Sequence, residues 1–149
     1  MLSDSHGMPS RIMDAVERHS DADAVIFLGD GERDIEMLES YYSSVPNIIK
    51  VAGNCDFCSD LPFLRVVTLG GKKIYCTHGH CERVKYDTAE LVCRARQENA
   101  DIVLYGHTHT PVTSYDDGLY IMNPGSIRDG NYGIIDIVPG GIMLNNQRL

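Results

Sequence analysis

The chain has 149 residues, the length of about one domain. Apolar residues make up 43% and charged residues 23%, which excludes a disordered tail or a fibrous protein. Thirteen Lys and Arg against 21 Asp and Glu leave a net charge of -8, which argues against a nucleic-acid binder because phosphate contacts need a basic face.

The segment Met1 to Gly7 is polar and has no apolar run of the signal-peptide kind. Pro9 suits a first helical turn, and Ile12, Met13 and Val16 share one helical face, which predicts a helix over about 9–19. Ala24 to Leu28 is a short apolar run closed by Gly29 and reads as a buried strand. It is far too short to span a membrane. Ile35 and Leu38 predict a second helix from Glu32 to Tyr42, and Ile48 to Ala52 a second buried strand. Strand, helix, strand in this order predicts a parallel βαβ unit. Leu64 to Leu69 and Lys72 to Thr77 flank Gly70-Gly71 and predict a hairpin. Asp87 to Ala100 reads as a helix with Leu91, Val92, Cys93 and Ala95 on apolar positions, and Ile102 to Tyr105 as a further buried strand. Val112 to Tyr115, Leu119 to Met122, Tyr132 to Val138 and Ile142 to Asn145 predict antiparallel strands in the last third. One α/β domain over 1–149 is expected, with no linker and no repeat. Five cysteines and no leader predict free thiols, a cytoplasmic location and no membrane partner.

Five of the six histidines fall in three clusters: Asp4-Ser5-His6, His78-Gly79-His80 and His107-Thr108-His109. Gly29-Asp30 and Gly53-Asn54-Cys55-Asp56 follow predicted strands in the same way. Strand C-terminal ends are where open α/β sheets bind ligands, so Asp4, Asp30, Asn54, His78 and His107 are expected on one rim. Residues i and i+2 of an extended segment point the same way, so Asp4 with His6, and a pair from His107 and His109, could each reach one ion. Imidazole, carboxylate and amide without obligatory thiolate suit manganese, nickel, iron or zinc, with manganese expected first. Seven candidate ligands are too many for one ion and enough for two that share a carboxylate. Each cluster alone is an ordinary turn or helix cap; all five in order at strand ends point to a metal centre. A redox or zinc site on Cys55-Asp-Phe-Cys58 and Cys76 to Cys81 is the weaker alternative, because the second pair has the wrong spacing.

The order Asp4-Ser5-His6, Gly29-Asp30, Gly53-Asn54, His78-Gly79 and Gly106-His107-Thr108-His109 resembles the calcineurin-like metallophosphoesterases. Gly53-Asn54-Cys55-Asp56 and Asn123-Pro124-Gly125-Ser126 resemble their small prokaryotic, YfcE-like phosphodiesterase branch. The resemblance implies a four-layer αββα sandwich and two divalent ions. It assigns Asp4, His6, Asp30 and His109 to one ion and Asp30, Asn54, His78 and His107 to the other, with Asp30 bridging. It implies hydrolysis of a small phosphoester by a hydroxide shared between ions ~3.5–4 Å apart, with Asp30, Asn54, His78 and His80 as the catalytic groups. His80 is expected beside the substrate, Asp56 under Asn54 or a histidine, and Asn123 to Ser126 as a structural turn. Asp34 completes a Gly-Asp-x-x-x-Asp pattern and is equally expected as an acid in a helix first turn. Cys55 stands where larger members carry His, which weakens proton donation to the leaving group. Only Met1-Leu2-Ser3 precede Asp4 where the family has a full central strand, so either the start lies upstream or the strand is a stub that seats Asp4 and His6 weakly. A relative of the same fold with a degraded metal site makes a non-catalytic scaffold the alternative function. A homodimer or homotetramer is compatible with Tyr41, Tyr42 and the C-terminal strands.

Overall fold

The computed structural model describes residues 1–42 and 47–149. In chain order it contains α1 (Pro9–Arg18), β1 (Ala24–Phe27), α2 (Glu32–Tyr41), β2 (Asn47–Lys50), β3 (Leu64–Leu69), β4 (Lys72–Thr77), α3 (Ala89–Gln97), β5 (Ile102–Leu104), β6 (Val112–Asp116), β7 (Leu119–Asn123), a 3₁₀ turn (Ile127–Asp129), β8 (Asn131–Val138) and β9 (Gly141–Arg148).

One sheet has the order β3-β4-β5-β7-β6. β4, β5 and β7 run parallel, and β3 and β6 close the two edges antiparallel. The parallel β5–β7 pair departs from the antiparallel expectation. The β6–β7 hairpin is local, but its second strand returns beside β5 in the same direction.

The other layer is stitched together by the first residues. β1 pairs parallel with β2, and β8 pairs antiparallel with β9. Leu2 bridges to Phe27, donating to the Ile26 carbonyl at 2.8 Å and accepting from Leu28 at 2.9 Å. Met1 exchanges two hydrogen bonds with Gly133, at 2.8 and 2.9 Å. The expected stub therefore joins the two strand pairs into one layer. It also seats Asp4, whose N–H donates to the Gly29 carbonyl at 3.0 Å. Beyond Met1 the edges of β1 and β8 part around a cleft of about 440 Å³.

Three apolar clusters show why these layers stack. Alternate residues of a strand face opposite sides. Val25 and Phe27 meet Ile12, Ala15, Ile35 and Leu38 of α1 and α2. Ile26 and Leu28 face the other way, onto Ile74, Cys76, Ile102, Leu104 and Met122. The opposite side of that second sheet, with Tyr75, Val103 and Ile121, takes Leu91 and Ala95 of α3. Helices, sheet, sheet and helix make the four-layer αββα arrangement.

Differences from the sequence expectation are local. β2 stops at Lys50, because Ala52 donates instead to the Pro62 carbonyl at 2.9 Å. α3 is shorter at both ends than expected, and Cys93 on it is exposed rather than buried. Phe27 is fully buried between β1 and the two helices. Phe27→Ala is expected to destabilise the protein by about 3–5 kcal/mol, the cost of an unfilled core cavity, as read by urea unfolding.

Candidate metal centre

The strands that deliver candidate ligands run parallel to one another within each sheet, so their C-terminal ends lie on one rim. Asp4, Asp30 and Asn54 follow the Met1–Leu2 stub, β1 and β2 of one sheet. His78 and His107 follow β4 and β5 of the other. The site straddles the two sheets, with the oxygen donors and His6 from one and the remaining imidazoles from the other.

The ligating atoms of Asp4, His6 and His109 lie within 4.8 Å of one another, and so do those of Asp30, His78 and His107. His107 and His109 thus go to different groups rather than to one. Asp30 Oδ2 lies 3.4 Å from His78 Nε2 and 3.8 Å from His6 Nε2, between the groups. Asn54 Oδ1 is 3.1 Å from His78 Nε2. His80 is half-buried beside them, its ring 5.5 Å from that of His78.

These side chains do not reach the rim from extended segments. Asp4, His6, Asp30, His107 and His109 all have left-handed backbone, with φ of 56, 43, 58, 66 and 58°. That conformation costs a residue with a Cβ roughly 1–2 kcal/mol. Such strain persists only where its surroundings over-determine it. Here the surroundings are a dense set of hydrogen bonds. Asp34 Oδ2 accepts from Ser5 Oγ at 2.6 Å and Gly7 N at 2.8 Å, fixing the turn that carries His6. Asp34 is therefore a loop anchor rather than a ligand. Ser126 Oγ donates to the Asp4 carbonyl at 2.7 Å. Asn123 Nδ2 donates to the Gly106 carbonyl at 2.8 Å and to Thr108 Oγ1 at 3.1 Å, holding the turn that carries His107. Gly106 must lack a side chain, since a Cβ there would lie 2.0 Å from Ser3 Oγ and 2.8 Å from Asp4 Oδ2.

Asp56 does not support Asn54 or a histidine, as its position in the sequence suggests. Its carboxylate accepts from four backbone N–H groups: Asp30, Gly31 and Gly53 at 2.8 Å and Glu32 at 2.9 Å. It caps α2 from across the sheet, a helix whose own N-cap, Gly31, has no side chain to do so. Glu82 is a second residue that the sequence did not single out. Buried, it accepts from Tyr75 Oη and Thr77 Oγ1, both at 3.1 Å, and steadies the segment with His78 and His80.

The electrostatics identify what the site lacks. Asp4 Oδ2 is satisfied by Ser3 Oγ at 2.6 Å and His107 N at 3.1 Å. Asp4 Oδ1 is buried with no hydrogen-bond partner, 3.2 Å from His109 Nε2. His78 Nδ1 lies 2.7 Å from the Leu28 carbonyl, which assigns it the proton. Its Nε2 lone pair then faces Asn54 Oδ1, Asp30 and, at 3.1 Å, His107 Nδ1. His6 Nε2 and His109 Nε2 face each other at 3.3 Å. Acceptors that converge in this way repel unless a cation lies between them. The donor set fits divalent metal.

Without metal, protons must serve. Burial alone would raise the Asp30 carboxyl, but His78 and the Cys55 N–H hold it far below the ordinary carboxylate range. Burial opposes a charged His78, yet Asp30 and Asp4 raise it above the ordinary imidazole value. His107 is pushed down to about 4 by burial and then by His78. Burial, then Asp30, pushes the Cys55 thiol up to about 11.

Oxygen and imidazole donors that converge at strand C-terminal ends of two packed sheets define the class of an α/β protein with a candidate metal centre. The family model for the calcineurin-like phosphoesterase superfamily domain matches residues 1–137, and the chain belongs to that family. The chain is 34% identical over 129 residues to a probable metallophosphoesterase, YsnB, of Bacillus subtilis, covering 86% of this chain and 73% of that protein. It is 31% identical over 137 residues to the phosphodiesterase YfcE of Escherichia coli, covering 82% and 71%. These likenesses set it in the small prokaryotic, YfcE-like branch. The fold is shared more widely: the zinc complex of Vps29 from Entamoeba histolytica superposes with a TM-score of 0.72 at 22% identity, covering 99% and 96% of the two chains.

Asp56→Ala leaves four N–H groups without their acceptor and is expected to cost about 2 kcal/mol by urea unfolding, the upper range for a lost cap. In metal-free protein the pair of Asp30 and His78 sets a stability window. Its contribution is expected to be lost in acid, as pH falls through the depressed Asp30 value. It is also expected to be lost in base, as pH rises through the raised His78 value. Urea midpoints across pH, with Asp30→Asn as reference, check both limbs.

Proposed function

We propose that this chain, as one domain, is a metal-dependent phosphodiesterase that holds two divalent ions, manganese first, and hydrolyses a small phosphodiester. The observation that carries the proposal is Asp30, whose one carboxylate oxygen faces both His6 and His78. On this reading Asp4, His6, His109 and Asp30 hold one ion, and Asp30, Asn54, His78 and His107 the other. When bound, such ions activate water near neutral pH and offset the charge that develops on a phosphoryl group.

The chain's own groups have defined tasks. Leu28 locks the His78 tautomer so that Nε2 is always presented to the site. Asp30 keeps both ligand groups in register, because its other oxygen is tied to Cys55 N at 2.7 Å. Burial and then His78 lower the basicity of His80, so it stays uncharged and orients a phosphoryl oxygen rather than delivering a proton. Cys55 keeps its proton too tightly to assist a poor leaving group. Diesters with good leaving groups are therefore the better substrates. A scaffold acting through protein contacts is the second reading, favoured by the likeness to Vps29 in fold and in sequence. The complete set of candidate ligands here supports catalysis instead.

Chelator-stripped protein is expected to be inactive on bis(4-nitrophenyl) phosphate and to recover with manganese. Asp30→Asn is expected to lower turnover by on the order of a thousandfold, and elemental analysis should find at most one ion. Cys58→Ser, exposed and outside both ligand groups, should keep wild-type turnover. Metal-loaded wild-type protein without any turnover would favour the scaffold; full activity after complete metal removal would overturn the metal mechanism.

A further inference from the structure

A second cleft, of about 330 Å³, opens directly beside the ligand groups, lined by His6 and Asp30 on one side and by Arg33 and Phe57 on the other. Its acidic walls are already engaged. Asp34 is held by Ser5 and Gly7, and Asp56 by four backbone N–H groups. Besides Glu32, two groups stay free. The Phe57 ring is 85% exposed, an unusual state for a phenylalanine beside a polar site. Arg33 is the cleft's one basic side chain other than His6, and it has no ion pair or hydrogen bond among the described residues. It also sits in the first turn of α2, where the helix dipole disfavours a cation. In a chain of net charge -8, this places the positive charge where an anionic substrate must approach.

We propose that this cleft is the subsite for the non-leaving ester group of the substrate, and that it takes a nucleobase or similar flat ring. The ring stacks on Phe57, and its acceptor-bearing edge meets the Arg33 guanidinium. The volume is that of a small ligand site. An aromatic face accepts any base by stacking, and a guanidinium presents paired donors to carbonyl or ring-nitrogen acceptors. Glu32 also lines the cleft and disfavours a second phosphate there, so the base rather than a further anion is the fitting group. The inference rests on the proposed phosphodiesterase reading and names its substrate class: diesters of nucleotides.

The test compares two diesters with the same leaving group, thymidine 5′-(4-nitrophenyl) phosphate and methyl 4-nitrophenyl phosphate. Wild-type protein is expected to favour the thymidyl ester, mainly through a lower KM. Phe57→Ala should cut that preference by roughly tenfold, the worth of one stacked ring. Arg33→Ala should cut it by a similar factor, and Arg33→Lys should restore only part, because an ammonium lacks the planar fork. Tyr115→Ala, an exposed aromatic on β6 outside the cleft, serves as the control and should leave the preference unchanged. In parallel, thymidine 5′-monophosphate is titrated into the zinc-supplied protein while the Phe57 ring resonances are followed by NMR. They should shift, and those of the Tyr115 ring should not. A Phe57 shift without turnover of either ester would uphold the subsite and overturn the phosphodiesterase reading. Turnover with equal preference for both esters and no Phe57 shift would overturn the subsite alone.

Discussion

The structure turns on a repulsion. Buried carboxylate oxygens and imidazole lone pairs converge on one rim with too few protons to separate them. Asp4 Oδ1 has nothing to accept from, and His78 Nε2 points at an amide oxygen. A fold keeps such an arrangement only if something positive completes it, and the surrounding protein is organised to hold it open. Left-handed backbone at five of the candidate ligands brings the side chains together, and a ring of supporting hydrogen bonds prevents their relaxation.

That support follows a division of labour. Polar residues packed around the candidate ligands hold the loops in place rather than the metal. Ser3, Ser5 and Ser126 brace the first turn, Asp34 and Asp56 the two turns around α2, and Asn123 the turn after β5. The polar residues of the motifs thus divide into those with free lone pairs aimed at the rim and those whose acceptors are filled by backbone N–H groups. This distinction explains why Asp30 and Asp56 have different roles, although both are acids at strand ends. One oxygen of Asp30 is left for the site, whereas both oxygens of Asp56 are spent on four main-chain donors.

The same rim also sets what can approach. The oxygen donors and His6 come from one sheet and the remaining imidazoles from the other, so the site is a seam between two packed layers rather than a pocket within either. Its open flank beside α2 carries an unpaired guanidinium and an exposed ring, which gives the seam a direction. On the proposed reading, phosphoryl chemistry belongs between the sheets, and recognition of the remainder of the substrate belongs beside the helix.

Much of this was legible in the chain. The apolar runs and their two periodicities determined where strands and helices form, because an alternating or 3.6-residue pattern can bury its apolar face in only one way. The five clusters at strand ends determined which residues reach the rim, since parallel strands present their C-terminal ends together. Other features depended on partners distant in sequence. That His107 and His109 serve opposite groups follows from left-handed turns, which no local residue preference reveals. The role of Asp56 required knowing that α2 begins 24 residues earlier in the chain and beside it in space. The two strand pairs become one layer only because Met1 hydrogen-bonds to Gly133 and Leu2 to Ile26 and Leu28. Sequence determines what is local and periodic; hydrogen bonds and charge contacts between distant segments are decided only when the sheets pack, because their energy depends on a separation in space that the chain does not encode at any single position.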